Sequence, residues 1–205
     1  MSPQSERDAI RKRFKSHGDL AKLDKLLPHI RELQKLASEH GIHDVFQDNG
    51  GKLLQMLLVT GLVGIPGREG NDARDVDGRE YEMKSVNRFN TKGVRKSNPQ
   101  FTTHHHLNPT IIDKYRKVDW LFALYSGIEL EAVWLLTPKE LEPWFVKWEK
   151  DYAEKGVALN NPKINLTFVE DHGIELYRNP EAPKSDDDDL LELLGDVLTP
   201  PTGEE

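Results

Sequence analysis

Two pairs of strand-like segments, each joined by a short turn, constrain the fold of this 205-residue chain more than any other feature. Residues 71–75 and 79–87 flank Asp77-Gly78, a dipeptide suited to the positive φ of a tight turn. A second pair has the same pattern, at residues 118–125 and 130–136 around Ser126-Gly127. The middle of the chain is therefore predicted to form two β-hairpins.

Segments with helical spacing surround the predicted hairpins. Apolar residues recur every three to four positions from Leu20 to Ala37, which gives a helix one apolar stripe. Pro28 lies within that stripe and predicts a kink or a helix start. Further helices are predicted at Lys52–Leu62, at Ile111–Arg116 after Asn108-Pro109, and through Trp144 and Trp148 after the capping box Thr137–Glu140. These elements predict an α/β fold with a mixed central β-sheet flanked by helices.

Charge is distributed unevenly along the chain. The net charge is −7, but residues 181–205 hold nine acidic residues and one lysine, so that residues 1–180 carry +1. From Met83 to Ile112 there is no Asp or Glu, whereas five residues are Lys or Arg. A surface that faces phosphates requires such a segment, because a carboxylate there would repel the nucleic-acid backbone. A solvated basic loop has the same composition, and both interpretations stay open at this point.

Composition limits the compartment and the type of metal site. No segment has the roughly 18 consecutive apolar residues that a bilayer requires, and the charged start lacks the apolar core of a signal peptide. We therefore expect a cytoplasmic protein without a membrane partner. The chain has no cysteine, which excludes thiolate-bound zinc. The predicted organisation is a polar basic arm at 1–18, one domain at 19–179 and an acidic, disordered tail at 180–205.

Asp72, Glu82 and Lys84 form the pattern with the most chemical content. Alternate side chains of a strand share a face, so that Glu82 and Lys84 point the same way, and the Asp77-Gly78 turn can bring Asp72 beside them. Carboxylate oxygens suit Mg²⁺, which accepts a substrate phosphate as a further ligand. A nearby amine can orient or deprotonate an attacking water, or stabilise developing negative charge. Exposed strands also carry this spacing by chance, so the pattern alone leaves two interpretations.

Two polar motifs carry side chains that can contact DNA bases. The run His104-His105-His106 could bind a transition metal, but in a strand His105 would face away from its two neighbours. The imidazoles can instead contact base edges in the major groove. Asn161, within Asn160-Asn161-Pro162, has an amide that can pair with N6 and N7 of adenine, although an ordinary turn has the same composition.

Six motifs in the chain form a combination that can be compared with known families. The motifs are Asp48-Asn49-Gly50-Gly51-Lys52, Gly67-Arg68-Glu69-Gly70-Asn71-Asp72, Glu80-Tyr81-Glu82-Met83-Lys84, Thr103-His104-His105-His106, Lys114-Tyr115-Arg116 and Asn160-Asn161-Pro162-Lys163. Together they resemble the PvuII restriction endonuclease family, within the PD-(D/E)xK nuclease superfamily. The similarity runs from about Asp24 to Tyr177, with the motifs in the same order. The superfamily is named after a motif that begins with proline, and this chain has Asn71 at that position, as the PvuII pattern does.

The resemblance implies a restriction-endonuclease-like fold and a Mg²⁺-dependent type II site-specific deoxyribonuclease. Asp72 and Glu82 would be metal ligands and Lys84 the catalytic amine. Glu69 and Tyr115 would lie beside the scissile phosphate, where Glu69 is a further metal ligand or both residues serve a water. The implied DNA-binding residues are Asp48 on the minor-groove side, or as a helix cap instead, and Thr103, His104, His105, His106, Asn160 and Asn161.

Within that set, the resemblance implies that His105 and His106 read the G·C pairs and that Asn161 reads adenine with help from Asn160. The implied target is double-stranded CAGCTG, cut centrally to leave blunt ends. A palindrome requires a symmetric reader, which implies a homodimer. The implied dimerisation region is 19–47, whose apolar stripe could equally be buried within one subunit, and 48–179 is the catalytic and DNA-recognition region. A cognate DNA methyltransferase belongs to the same restriction-modification system without being a physical partner.

The chain departs from the family pattern at Val94–Gln100, an insertion of about seven residues by comparison with the family motifs. The insertion adds Arg95 and Lys96, which could contact phosphates or change the preference for flanking sequence. A nuclease of altered specificity, or one with a DNA-repair role, is therefore an alternative. A non-catalytic DNA-binding protein is a second alternative, which the presence of Asp72, Glu82 and Lys84 disfavours.

Overall fold

The structure, a computed structural model, describes residues 19–65, 71–104 and 106–181. The predicted arm at 1–18 and the tail from 182 onward lie outside these residues, as do Glu69 and His105. The chain divides into two compact units, the first ending at Gly50 and the second beginning at Gly51. Within the described ranges, each helix is too short or too polar to cross a lipid bilayer.

The first unit is built on one long helix, α1 (Leu20–Glu39), close to its predicted bounds. Pro28 lies inside this helix rather than at its start. The side chain of Gln34 holds the turn that follows the helix. Its Nε2 donates to the carbonyl oxygen of Ile42 at 3.1 Å, and its Oε1 accepts from the amide of Val45 at 2.9 Å. The side-chain amide of Gln34 therefore supplies hydrogen-bond partners to two backbone groups in the turn after the helix.

The described part of the second unit contains eight strands, six of them in one mixed sheet. They are β1 (Val63–Gly64), β2 (Ala73–Arg74), β3 (Glu80–Asn87), β4 (Gln100–Thr102), β5 (Asp119–Ser126), β6 (Glu129–Leu136), β7 (Lys163–Asn165) and β8 (Ile174–Arg178). The order in the large sheet is β1-β2-β3-β5-β6-β8. Strands β3 and β5 pair in parallel, and the other neighbouring strands of this sheet in the described residues are antiparallel. The remaining strands, β4 and β7, form a separate two-stranded ribbon.

Both predicted hairpins are confirmed, although the first is shorter than predicted. Strand β2 has only two residues because the side chain of Asp75 closes a wide loop. Its Oδ1 accepts from the amides of Asp77 and Arg79, both at 2.9 Å. Gly78 has a φ of 82°, the left-handed conformation that the Asp-Gly dipeptide predicts.

In the described residues, four further helices follow α1; two of them begin at the capping residues that the sequence predicted, and α5 was not predicted. They are α2 (Gly50–Thr60), α3 (Pro109–Tyr115), α4 (Pro138–Lys155) and α5 (Leu166–His172). Asn108 accepts from the amide of Ile111 at 3.1 Å at the start of α3. Thr137 and Glu140 form the predicted capping box at the start of α4. The predicted helices are therefore confirmed within two residues at each start.

Strand β5 is buried from Trp120 to Tyr125, because both faces of the sheet are covered there. On one face, the Trp120 ring lies 6.2 Å from the Phe145 ring of α4, and Phe122 lies 5.0 Å from Phe101 of the ribbon. On the other face, the hydroxyl of Tyr125 donates to the carbonyl oxygen of Lys52 in α2 at 2.6 Å. The result is the predicted α/β architecture, with a mixed sheet between helices.

Candidate active site

The β2–β3 hairpin brings Asp72, Glu82 and Lys84 together. The amide of Asp72 donates to the carbonyl oxygen of Tyr81 at 3.0 Å, which fixes Asp72 opposite the start of β3. Its Oδ2 accepts from the amide of Met83 at 2.7 Å. Lys84 Nζ lies 2.5 Å from Glu82 Oε1. The two carboxylates and the ammonium group therefore occupy one short stretch of the sheet.

Glu82 is a buried carboxylate with only 4% of its surface exposed. Burial raises the pKa of Glu82 above its ordinary value, and the negative charge of Asp72 adds to that effect. Lys84 opposes both by lowering the pKa of Glu82 through its charge and its hydrogen bond. Lys84 therefore neutralises only part of the negative charge of Asp72 and Glu82.

Tyr115 closes the site at the end of α3. Its hydroxyl donates to the carboxylate of Glu82, and its ring is almost fully buried. Burial raises the pKa of Tyr115 far above its ordinary value, and the charge of Glu82 raises it further. The hydroxyl therefore stays protonated and acts as a hydrogen-bond donor.

Two aromatic rings face the ammonium group of Lys84. Its Nζ lies 5.8 Å from the centre of the Tyr115 ring and 5.7 Å from that of the Trp120 ring. Trp120 also donates from Nε1 to the carbonyl oxygen of Tyr115 at 3.3 Å. Sequence reasoning missed Trp120, because its position opposite Glu82 follows from the parallel register of β3 and β5, which no local pattern encodes.

The carboxylates of Asp72 and Glu82 fit a magnesium ion in their chemistry. Magnesium takes few protein ligands, prefers carboxylate oxygens, and keeps positions for water and phosphate. A divalent cation would also neutralise the charge that burial makes unfavourable at Glu82. Within residues 19–65, 71–104 and 106–181, no group of three or more His, Cys, Asp or Glu could hold a metal. Glu69, the third predicted ligand, lies outside those ranges.

The ribbon of β4 and β7 places the two predicted base-contacting motifs side by side. Thr102 pairs with Lys163 in the ribbon, and the amide and hydroxyl of Thr103 both donate to the carbonyl oxygen of Pro162, at 3.0 and 2.8 Å. The amide of Asn161 donates to the carbonyl oxygen of His104 at 3.0 Å. The His104 ring lies 6.3 Å from the ring of Tyr115. The segment that follows β4 therefore lies next to the carboxylate cluster, through the contact between His104 and Tyr115.

The histidine run lies beyond the end of a strand, so that the alternation expected within a strand does not apply to it. Strand β4 ends at Thr102, and the amide of His106 donates to Nδ1 of His104 at 3.0 Å. A side chain, rather than a neighbouring strand, is therefore the acceptor for this amide. His105 lies outside the described residues.

Asn161 has an unusual environment for a turn residue. Its φ is 51°, in the left-handed region that Asn tolerates better than most residues. Its Nδ2 donates to Oδ1 of Asn160 at 2.9 Å. Its own Oδ1 is buried and has no hydrogen-bond partner among the described residues. A buried acceptor without a partner is uncommon and requires an explanation.

Asp48 lies in the turn before α2, with a φ of 46°. It is exposed, and its carboxylate has no hydrogen-bond partner in the described ranges. The alternative role of Asp48 as a helix cap is therefore not observed there.

The predicted insertion forms one arm of a small ordered hairpin. Phe89 pairs with Arg95, and the amide of Asn90 donates to the carbonyl oxygen of Val94 at 2.9 Å. The side chain of Asn90 accepts from the amides of Lys92 and Val94, at 2.8 and 3.0 Å. The insertion therefore begins directly after a defined turn at residues 90–93, between β3 and β4.

The comparison with known families agrees with the fold. A family model described as restriction endonuclease PvuII matches residues 18–177, well over half of the chain. The match includes both the carboxylate cluster and the ribbon of β4 and β7. The chain therefore belongs to the PvuII family and is a type II restriction endonuclease.

Proposed function

We propose that the chain is a magnesium-dependent endonuclease that cuts double-stranded DNA at the palindrome CAGCTG, centrally and with blunt ends. The observation that carries this proposal is the cluster on β2 and β3, where Lys84 Nζ lies 2.5 Å from Glu82 Oε1 and Asp72 accepts from Met83. The enzyme works as a homodimer within a restriction-modification system. A methyltransferase that protects the same sequence belongs to that system.

Asp72 and Glu82, with Glu69 as the third carboxylate, would hold the magnesium ion. When bound, the ion polarises the scissile phosphate and lowers the pKa of a coordinated water. Tyr115 donates to Glu82 and so keeps that carboxylate oriented. Lys84 supplies a positive charge on the same face of β3, where it stabilises the negative charge that develops on the phosphate oxygens or orients the attacking water.

The surroundings of Lys84 support that role. The ammonium group is held by Glu82 on one side and by the rings of Tyr115 and Trp120 on the other. A cation fixed in this way costs little reorganisation when the phosphate becomes more negative. The side chain is also largely withdrawn from solvent, which strengthens its interaction with an anion.

The ribbon supplies the groups that contact bases. We assign Asn161 to adenine, because a side-chain amide can pair with adenine N6 and N7. His105 and His106 are assigned to the G·C pairs, with Thr103 and His104 adjoining them. Asn160 assists through its contact with Asn161. Asp48, whose carboxylate is exposed, is assigned to the minor-groove side.

A dimer follows from the symmetry of the target, and α1 offers an apolar surface for it. Four leucines of this helix are 39–57% exposed, which is costly for large apolar side chains that remain in water. They recur at helical spacing, so that they lie along one side of the helix. The residues are Leu23, Leu26, Leu33 and Leu36.

Digestion of a sequenced plasmid with magnesium tests the proposal. We expect discrete fragments whose ends map to the centre of every CAGCTG, with both strands cut at the same base step. Scattered nicks, or ends at a different sequence, would contradict the assigned specificity. Cutting that depends on DNA structure rather than sequence would favour a repair nuclease instead.

A further inference from the structure

A cavity of about 180 Å³ lies between α4 and the arm of the ribbon that carries Asn160. Trp144, Trp148 and Leu159 form its apolar wall. Its polar lining comprises Lys147, Asp151, Lys155, Asn160 and Lys163. The cavity therefore adjoins the residues assigned to base contacts, and all of its lining belongs to the second unit.

The cavity has an excess of positive charge. Its one carboxylate, Asp151, pairs with Lys147 at 2.6 Å. Lys155 and Lys163 are exposed, and neither forms an ion pair with any residue in the described ranges. Lys147 lowers the pKa of Asp151 most strongly, and the charge of Lys155 acts in the same direction. Two cations therefore remain for an anion from outside the protein.

Asn160 connects this cavity to the base-contacting residues. Its Oδ1 accepts from Nδ2 of Asn161 at 2.9 Å, so that its own amide hydrogens are the donors that remain for a ligand. Lys163 pairs with Thr102 within the ribbon, directly next to Thr103. Lys163 and the base-contacting residues are thus parts of one ribbon, whereas Lys155 faces the cavity from the end of α4.

The geometry of DNA indicates which anion this cavity would bind. The major groove is about 12 Å wide and admits a two-stranded ribbon, which then lies between two sugar-phosphate walls. A cationic cavity on the flank of a ribbon that enters the groove must face one of these walls. A phosphodiester group has a single negative charge and oxygens that accept from ammonium and amide groups.

We propose that the cavity lined by Lys155, Lys163 and Asn160 binds one phosphate of the DNA strand beside the ribbon, and so fixes how the ribbon sits in the groove. This inference rests on the proposed DNA-binding role of the ribbon. A phosphate contact positions the protein without reading the sequence, so that its loss weakens binding to all sequences alike. Lys147 stays paired with Asp151 and contributes less.

The test compares Lys155→Ala/Lys163→Ala with Lys139→Ala/Lys150→Ala, each in the full chain with Lys84→Ala so that the DNA stays intact. Lys139 and Lys150 are exposed lysines of α4, the helix that carries Lys155, and they do not line the cavity. We measure Kd against salt for a CAGCTG duplex and for one with a single changed base pair. We expect Lys155→Ala/Lys163→Ala to weaken binding to both duplexes by about tenfold. The slope of log Kd against log salt concentration should fall by roughly two per dimer. The control pair should change neither.

A second measurement locates the phosphate. Duplexes that each carry one uncharged methylphosphonate are bound by the Lys84→Ala protein with and without the Lys155→Ala/Lys163→Ala changes. At one position in each half-site the modification should weaken binding only when both lysines are present. An unchanged Kd and salt slope, or a loss confined to one base pair, would overturn the phosphate site. Equal binding of CAGCTG and scrambled DNA by the Lys84→Ala protein would instead refute the proposed function.

Discussion

Lys84 is confined by its neighbours to one region of the site. Glu82 holds its Nζ at 2.5 Å, and the rings of Tyr115 and Trp120 lie on its other side. A lysine has four rotatable bonds and would otherwise lose considerable entropy on reaching a phosphate. The side chain is therefore already ordered before DNA binds.

Replacing Lys84 with alanine should separate catalysis from binding. We expect Lys84→Ala to lower the single-turnover cleavage rate by about a hundredfold or more, because a positioned cation is lost. Specific binding should remain, since the base-contacting ribbon is unchanged. Cleavage and gel-shift measurements on one duplex check this, with Lys150→Ala as the matched control. A Lys84→Ala protein that cleaves at the wild-type rate would remove Lys84 from the mechanism.

Asn161 should act at one base pair only. Asn161→Ala is expected to cost on the order of 1–3 kcal/mol of discrimination at the A·T pair, because a bidentate amide contact is lost. Competition binding with duplexes changed at the A·T pair or at a G·C pair measures this. Discrimination at the G·C pair serves as the internal control. If selectivity at A·T is the same in both proteins, Asn161 does not read adenine.

At the residue scale, the sequence predicted which side chains meet but not all of their surroundings. The alternation of a strand and the Asp77-Gly78 turn were sufficient to place Asp72, Glu82 and Lys84 together. The position of Trp120 could not be predicted, because it depends on the register of two strands that are far apart in sequence. The contact between the amide of His106 and the side chain of His104 could not be predicted either, because strand alternation applies only within β4.

At the scale of elements, local capping decides where the helices begin. Asn108 and the Thr137–Glu140 capping box supply partners to amides that have none within the helix. These signals are local, and the sequence therefore predicted α3 and α4 closely. The shortness of β2 was not predictable in this way, since the loop depends on how the Asp75 side chain folds back.

Removing the cap of α4 should destabilise the second unit. Thr137→Ala is expected to lower the free energy of unfolding by about 1 kcal/mol, because the N-terminal amides lose their side-chain partner. Urea denaturation of the purified protein measures it. Thr167→Ala is a suitable control, because that exposed hydroxyl has no hydrogen-bond partner among the described residues. Equal stability of Thr137→Ala and wild type would show that the box contributes little.

At the scale of the whole molecule, the exposed leucines of α1 form the surface that we propose for the dimer. Leu26 and Leu33 are 57% and 44% exposed and lie two helical turns apart, on the same side of the helix. The sequence left two interpretations of this apolar stripe, burial within one subunit or contact between subunits. The proposed homodimer would bury the stripe between subunits.

Charged residues at these positions should separate the subunits. We expect Leu26→Glu/Leu33→Glu to be a monomer at micromolar concentration, because burying two carboxylates per subunit is costly. Sedimentation analysis measures the mass, and plasmid digestion should show slow nicking in place of double-strand cuts. Val146→Glu changes a similarly exposed apolar residue of α4 and should leave the dimer intact. A double variant that remains dimeric would exclude this face of α1.

The central claim is that the carboxylates of Asp72 and Glu82 support cleavage through a magnesium ion. The most direct measurement is single-turnover cleavage of a duplex with one CAGCTG, by wild type and by Glu82→Gln, with magnesium and with EDTA. We predict cleavage by the wild type only when magnesium is present, and a rate for Glu82→Gln that is lower by about a hundredfold or more. Wild-type cleavage that persists in EDTA, or Glu82→Gln cleavage at the wild-type rate, would contradict the account.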